Sequence, residues 1–433
     1  MAAFLVLQAA RFGDVVQTGR LLHGLAAHGQ VHLAVDESLV ALARLLYPFA
    51  RVYGLRLHGC DEHGILQKNM HVLAQWRHER FSAVYNCNFS GLTAALCRIF
   101  EPEQVQGYRA APGGIRRSPW ARMAFRLSER RVLSPLNLVD FWAFFAPSPL
   151  PPQQLNPVPA PGGQGLGVVL AGRESRRSLP IPLLADVVRT AFSALGGPRV
   201  LLFGTAAEQP AARRLLRLLP AKMQDRVEDL SGKTGWPGLV DAVQGLDAII
   251  TPDTGTMHLA ARLGVPVLAF FLSSALAHET GPYGQGHFVW QAWRACAPCL
   301  ETAPCPYDVA CLEPFRSQEL LRSLTLALTG SVGSAGCAAL PAGLQLWSSH
   351  VDSLGTVLQL ESGEDPHAAQ RKQVREYLAS FLQMPLCEAV DTPLAPALAG
   401  EKTTYPCAVA HDGDIDQWLC GDADWMLPPQ RYR

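Results

Sequence analysis

The 433-residue sequence contains no run of about 18 uncharged apolar residues, the length a membrane-crossing helix requires, so no such helix is expected. No basic segment precedes its opening apolar run. MAAFLVLQAARFGD therefore reads as a first strand and not as a signal peptide, and a cytoplasmic location is expected. Charge is scarce: 17% of residues are charged, against 48% hydrophobic. That balance excludes wholesale disorder, which needs the reverse, and a coiled coil, which would be rich in charged heptads. Neither sign of charge is in excess, with 37 Lys+Arg against 37 Asp+Glu, which argues against a dedicated nucleic-acid binder. Eleven cysteines, an odd number scattered along a long chain, do not make a disulfide framework.

The zero net charge is a sum of unlike parts. Residues 1–150 hold 16 basic and 10 acidic residues, a balance of +6. Residues 151–330 hold 15 and 14, and residues 331–433 hold 6 and 13, balances of +1 and −7.

The pattern along the chain is α/β. Residues 3–8 form a strand-like run ending near Gly13-Asp14, a helical stretch follows, and Val31–Val35 is the next strand. Residues 146–165 are dense in proline and glycine and read as a linker. Beyond it the alternation returns. Strands are expected at 167–170, 199–203, 247–251 and 265–271, with helices at 182–195, 207–219, 236–246 and 256–263 between them. The expected divisions are 1–145 and 166–330 for two α/β bodies. Residues 331–433 read as an acidic extension or small appended module. There Val374, Tyr377, Leu378, Phe381 and Leu382 mark one amphipathic helix.

Ligands of open α/β sheets bind beyond the carboxyl ends of the strands, so chemistry is sought in the loops that follow them. Arg11-Phe12-Gly13-Asp14 follows the first strand; Asp14 reads either as a helix cap or as a general base in a cleft. Thr251-Pro252-Asp253-Thr254-Gly255-Thr256-Met257-His258 joins a buried strand to a helix. Its hydroxyls and free amides at a helix start suit a diphosphate, with Asp253 as the expected cap. Arg173, Arg176 and Arg177 follow the first strand of the second body, where guanidinium forks suit phosphate oxygens. Glu208, after Gly204, can accept from ribose hydroxyls, or simply favour a helix start.

Together these strings are similar to those of glycosyltransferase family 9, the ADP-heptose:lipopolysaccharide heptosyltransferase family. The most specific string is residues 229–271, DLSGKTGWPGLVDAVQGLDAIITPDTGTMHLAARLGVPVLAFF, and the resemblance extends over about residues 1–330. It implies a GT-B fold, two Rossmann-like domains facing a cleft. It implies inverting transfer from a nucleotide-diphosphate sugar, ADP-heptose by the family's usage, with no cofactor in catalysis. By motif position, Asp14 resembles the general base. Arg177, Glu208, Asp253, Thr254, Gly255, Thr256 and His258 resemble the nucleotide-sugar site. At Arg177 the family has Lys in a Lys-x-Trp-Pro string; here the string is Arg-Ser-Leu-Pro. No D-x-D string that would hold a metal stands in the cleft loops of residues 1–330. An anionic glycan or glycolipid acceptor, a surface protein as a further acceptor, and at most peripheral inner-membrane association are the implied partners. For that acceptor Arg116, Arg117 and Arg122 are the candidate contacts, within a cluster that also includes Arg126, Arg130 and Arg131. Competing readings are an epimerase or hydrolase on the same fold, and a binding module that has lost catalysis.

Cys296, Cys299, Cys305 and Cys311 lie within 16 residues. Their spacing is compatible with a structural Zn or Fe site, with reduced thiols, or with disulfides.

Overall fold

Leucine- and valine-rich runs bounded by glycine and proline become the strands of two sheets. The computed structural model describes residues 2–9, 11–57, 62–170, 175–299, 303–331, 339–384 and 386. The first sheet contains β1 (Ala2–Leu7), β2 (Gly29–Asp36), β3 (Arg51–Leu55), β4 (Ala83–Asn86), β5 (Val105–Ala111) and β6 (Gly114–Arg117). Their order is β3-β2-β1-β4-β5-β6, parallel except for the β5–β6 hairpin.

The second sheet contains β7 (Leu166–Val169), β8 (Val200–Phe203), β9 (Val227–Asp229), β10 (Ala248–Thr251), β11 (Val267–Phe271) and β12 (Phe288–Ala292). Two more strands, β13 (Leu344–Val351) and β14 (Thr356–Ser362), join it in the order β14-β13-β12-β11-β10-β7-β8-β9. Every residue of β7, β8, β10 and β11 is buried. Parallel strands covered on both faces need such unbroken apolar runs, which is why they stand out in the sequence. Each body has the Rossmann-like layering, and together they form the GT-B arrangement.

The described residues 339–384 of the expected extension are built into both bodies. β13 and β14 pair antiparallel onto β12 and complete the second sheet. The expected amphipathic helix forms as Ala368–Phe381, but its buried Val374 and Leu378 belong to the core of the first body. Arg371 donates to the Val132 carbonyl at 2.7 Å and Arg375 to the Pro135 carbonyl at 2.7 Å. Asp365 and Asp352 hold those two guanidiniums, so part of the segment's acidity is internal pairing. The strands were hidden because they are antiparallel edge additions without the βα alternation that marks the rest. The aspartate-rich end beyond residue 386 lies outside the described residues.

The proline-rich segment 146–165 is fastened on both sides. Leu155 is buried, Gly162 donates to the Leu246 carbonyl at 3.2 Å, and Asn156 Nδ2 to the Tyr283 carbonyl at 2.8 Å. Nearby, Arg20 Nη1 donates to Asp140 Oδ1 at 2.6 Å and to the Leu354 carbonyl at 2.8 Å. Tyr283 Oη and the Thr356 amide also donate to Asp140, at 2.7 and 3.0 Å. One buried ion pair thus joins both bodies and the β13–β14 turn. Removing one partner of such a pair costs about 3–5 kcal/mol, because the other charge is left buried alone.

No helix among the described residues is long and apolar enough to cross a membrane.

Candidate functional site

Two loops at the carboxyl ends of β1 and β10 meet across the bodies. After β1 the chain turns at Arg11 into the helix Phe12–Gln17. Asp14 is the third residue of that helix, not its cap, and its Oδ2 accepts from the Arg11 amide at 3.1 Å. After β10 the chain enters the helix Gly255–Arg262. Thr254, not Asp253, caps it: Thr254 Oγ1 accepts from the Met257 amide at 3.3 Å. The first amides of a helix have no partner within it, so this end offers donors to an anion.

The helices touch because both have glycine at the contact. A Cβ on Gly13 would lie 3.2 Å from His258 Cδ2, and a Cβ on Gly255 would overlap the Phe12 ring. Phe12 also packs on Trp236, ring centroids 5.0 Å apart, and Trp236 Nε1 donates across to the Ser38 carbonyl at 2.9 Å.

Asp253 is freed from capping for another task. It pairs with Arg177, accepts from Thr280 Oγ1 at 3.1 Å, and lies 3.7 Å from His258 Nε2. Burial pushes the His258 imidazole below its ordinary range, against the pull of Asp253 and Asp14. Burial pushes the Asp14 carboxyl up, opposed by the Arg11 amide and charge and by His258, and helped by Asp253.

Glu208 closes a capping box: the Thr205 amide and hydroxyl both donate to its Oε2 at 2.6 Å. Its helix-start role is therefore built. Gly204 leaves room for it, since a Cβ there would meet the Glu208 Cβ at 2.8 Å. Arg176 points elsewhere and donates to the Ala303 carbonyl at 2.7 Å; Arg173 lies outside the described residues.

The arginine cluster of the first body divides. Arg116 and Arg122 are exposed. Arg116 stands opposite Arg109 in the β5–β6 ladder, and facing like charges repel. Arg117 lies over the Phe125 ring at 3.8 Å and the Phe89 ring at 5.0 Å. Arg131 crosses to the second body, where its Nη2 and Nε reach Glu279 at 2.6 and 2.9 Å. Phe12 and Trp236 lie within strings noted in the sequence, though without a role of their own; Glu279 and Thr280 escaped sequence reasoning. Their partners lie far along the chain, and no local string marks them.

The four clustered cysteines are free thiols, so the disulfide option does not hold. They line a cavity of about 270 Å³ with Arg176 and Ser273. Cys299 bonds Ser273 Oγ at 3.3 Å, and Cys305 accepts from the Val309 amide at 3.3 Å. Among the described residues no three His, Cys, Asp or Glu side chains converge as a metal-holding group.

Comparison with known proteins bears on the sequence and the fold. Residues 191–308 match the family described as glycosyltransferase family 9 (heptosyltransferase). Over 75 residues the chain is 33% identical to lipooligosaccharide heptosyltransferase 2 of Haemophilus influenzae and 35% identical to lipopolysaccharide heptosyltransferase 2 of Escherichia coli K12. Each alignment covers 17% of this chain and 22% of the relative, about a fifth of its length. The family 9 glycosyltransferase structure from Veillonella parvula superposes with a TM-score of 0.57 at 14% identity, covering 75% of this chain and 97% of that one. The E. coli heptosyltransferase WaaC, solved with ADP, gives 0.50 at 17% identity over 67% and 93%. The chain therefore takes the fold of these glycosyltransferases, and its residues 191–308 are similar to glycosyltransferase family 9.

Proposed function

We propose that this protein is an inverting glycosyltransferase that moves heptose from a nucleotide-diphosphate donor, ADP-heptose, to an anionic acceptor of the lipopolysaccharide-core type. The observation that supports the reading is the contact of the Asp14 helix with the start of the Gly255–Arg262 helix, which sets the proposed base near the proposed diphosphate site.

In this reading the donor diphosphate lies against the amides of Gly255 and Thr256, with the Thr256 hydroxyl and Arg177 adding donors. Asp253 orients Arg177 through their ion pair. His258, kept neutral by burial, adds no charge and can share a hydrogen bond. Glu208, half-buried after β8, takes the ribose hydroxyls. The acceptor hydroxyl approaches from the first body and gives its proton to Asp14 as its oxygen bonds to the anomeric carbon. The bond from that carbon to the diphosphate oxygen breaks, and the helix terminus and Arg177 stabilise the departing negative charge. The exposed Arg116 and Arg122 suit an anionic acceptor, which would relieve the repulsion between Arg116 and Arg109.

The test is a turnover screen with ADP-, GDP-, UDP- and CDP-activated heptoses and a lipopolysaccharide inner-core acceptor. ADP-heptose should be consumed with inversion at the anomeric carbon. Turnover of every donor without acceptor, or of none with it, would overturn the reading.

A further inference from the structure

The four-residue helix Ala277–Thr280 is fixed to both bodies and to the loop that carries Asp253. Its first amide, that of Ala277, donates to Gln291 Oε1 on β12 at 2.7 Å. From the first body, Asn137 Nδ2 donates to the Gly281 carbonyl at 3.0 Å, and Arg131 holds Glu279 through two nitrogens while also donating to the Ser274 carbonyl at 2.9 Å. The neighbouring residue, Thr280, donates its hydroxyl to Asp253. Asp253 in turn holds Arg177 and faces His258. An unbroken series of contacts therefore runs from Arg131 on the first body to Arg177 on the second.

We propose that Arg131 and Glu279 are positioning residues that set Asp253, and through it Arg177, according to how the first body is seated. The inference rests on the donor site described above. Neither residue touches the expected substrate position; both act through Thr280 and Asp253.

Charge explains why this link is more than an interface ion pair. Glu279 is half-buried; burial raises its carboxyl's proton affinity most, Arg131 opposes that, and the charge of Asp253 adds a smaller push in the same direction as burial. Arg131 offsets the Glu279 charge. Without it, a half-buried carboxylate would sit uncompensated one residue from the Thr280 hydroxyl that bonds Asp253. The least costly response is to move that short helix, and Asp253 and Arg177 would move with it. An exposed pair remote from the site would be worth little and would leave turnover alone.

The test compares wild type with Arg131→Met, Arg131→Lys, Glu279→Gln and the Arg131→Met/Glu279→Gln double variant, all as full-length chains. ADP affinity is read by calorimetry, and kcat and both KM values with ADP-heptose and an inner-core acceptor. Each single neutralising variant should lower kcat by about 10- to 100-fold, the scale of a misplaced catalytic constellation. ADP affinity should weaken as well, because Arg177 is one of the diphosphate's proposed donors, and the double variant should fall no further than the worse single one. Arg131→Lys should recover most of the loss. Unchanged kcat, or losses that multiply in the double variant, would overturn the link while wild-type turnover still upheld the function. No wild-type turnover would overturn both. If Arg131→Met fails to fold, the near-isosteric Glu279→Gln carries the same reading.

Discussion

The ring of Phe12 fills the space that any side chain on Gly255 would need. The two residues come from different bodies, 243 positions apart in the sequence, and their contact holds Asp14 against the loop of Asp253 and His258. Gly255→Ala should therefore push the two helices apart. We expect kcat/KM to fall by about 100-fold, the cost of a small misplacement at a reacting centre. Phe12→Leu in the same chain, by making room, should restore part of it. Steady-state kinetics of the single and double variants check this, and equal losses in both would contradict it.

In the proposed reaction Asp14 takes a proton and so must be ionised, and activity should fall on the acid side. Because burial raises its proton affinity, the midpoint should lie above the ordinary aspartate value. The same shift bears on stability. A folded state that binds the proton more tightly than the unfolded chain is opposed by ionisation, so the penalty exists above the folded pKa and vanishes below the unfolded one. Asp14→Asn should thus raise the melting temperature at neutral pH and lose that gain as the pH falls. A variant that melts lower than wild type at neutral pH would argue that the Asp14 carboxylate is stabilising.

The start of each βα unit is legible in the residues because buried parallel strands need continuous apolar runs and helices begin at recognisable turns. Asp14 and the 253–258 loop were found for that reason. What the sequence does not show is partner choice. Thr254 takes the cap expected of Asp253 because its hydroxyl sits one residue nearer the helix, and the freed Asp253 carboxylate then reaches Arg177. Arg131, grouped by proximity in sequence with Arg116 and Arg122, is drawn across the cleft by Glu279, 148 residues away. The β13–β14 hairpin was missed because its pairing partner, β12, is fixed by tertiary contact rather than by any local string.

The helix Ala368–Phe381 serves as a clamp on the first body. Leu378 is fully buried there. Leu378→Ala should cost about 2–5 kcal/mol, as for other large-to-small core changes, and it should lower the cooperativity of unfolding between the bodies. Denaturant melts of the full chain check the value. A loss below about 0.5 kcal/mol, the range of ordinary surface substitutions, would mean that the helix does not bear on the core.

The cysteines should differ in reactivity. Cys305 is held toward its thiolate by the backbone amides of Tyr307 and Val309, with a smaller contribution from Arg176, whereas burial pushes Cys97 up to about 12. Among the six cysteines within the described residues, iodoacetamide at neutral pH should label Cys305 first and leave Cys87 and Cys97 for last, since the thiolate is the reactive form. Peptide mapping of a labelling time course reads the order directly, and early modification of Cys97 would refute it.

The central claim is that Asp14 performs the proton transfer while the opposing loop holds the nucleotide. The most direct measurement is single-turnover heptose transfer by Asp14→Asn alongside its ADP affinity. Transfer should fall by about 10²- to 10⁴-fold, the usual worth of a positioned base, with ADP affinity within about threefold of wild type. Transfer near the wild-type rate, with ADP bound normally, would contradict the account.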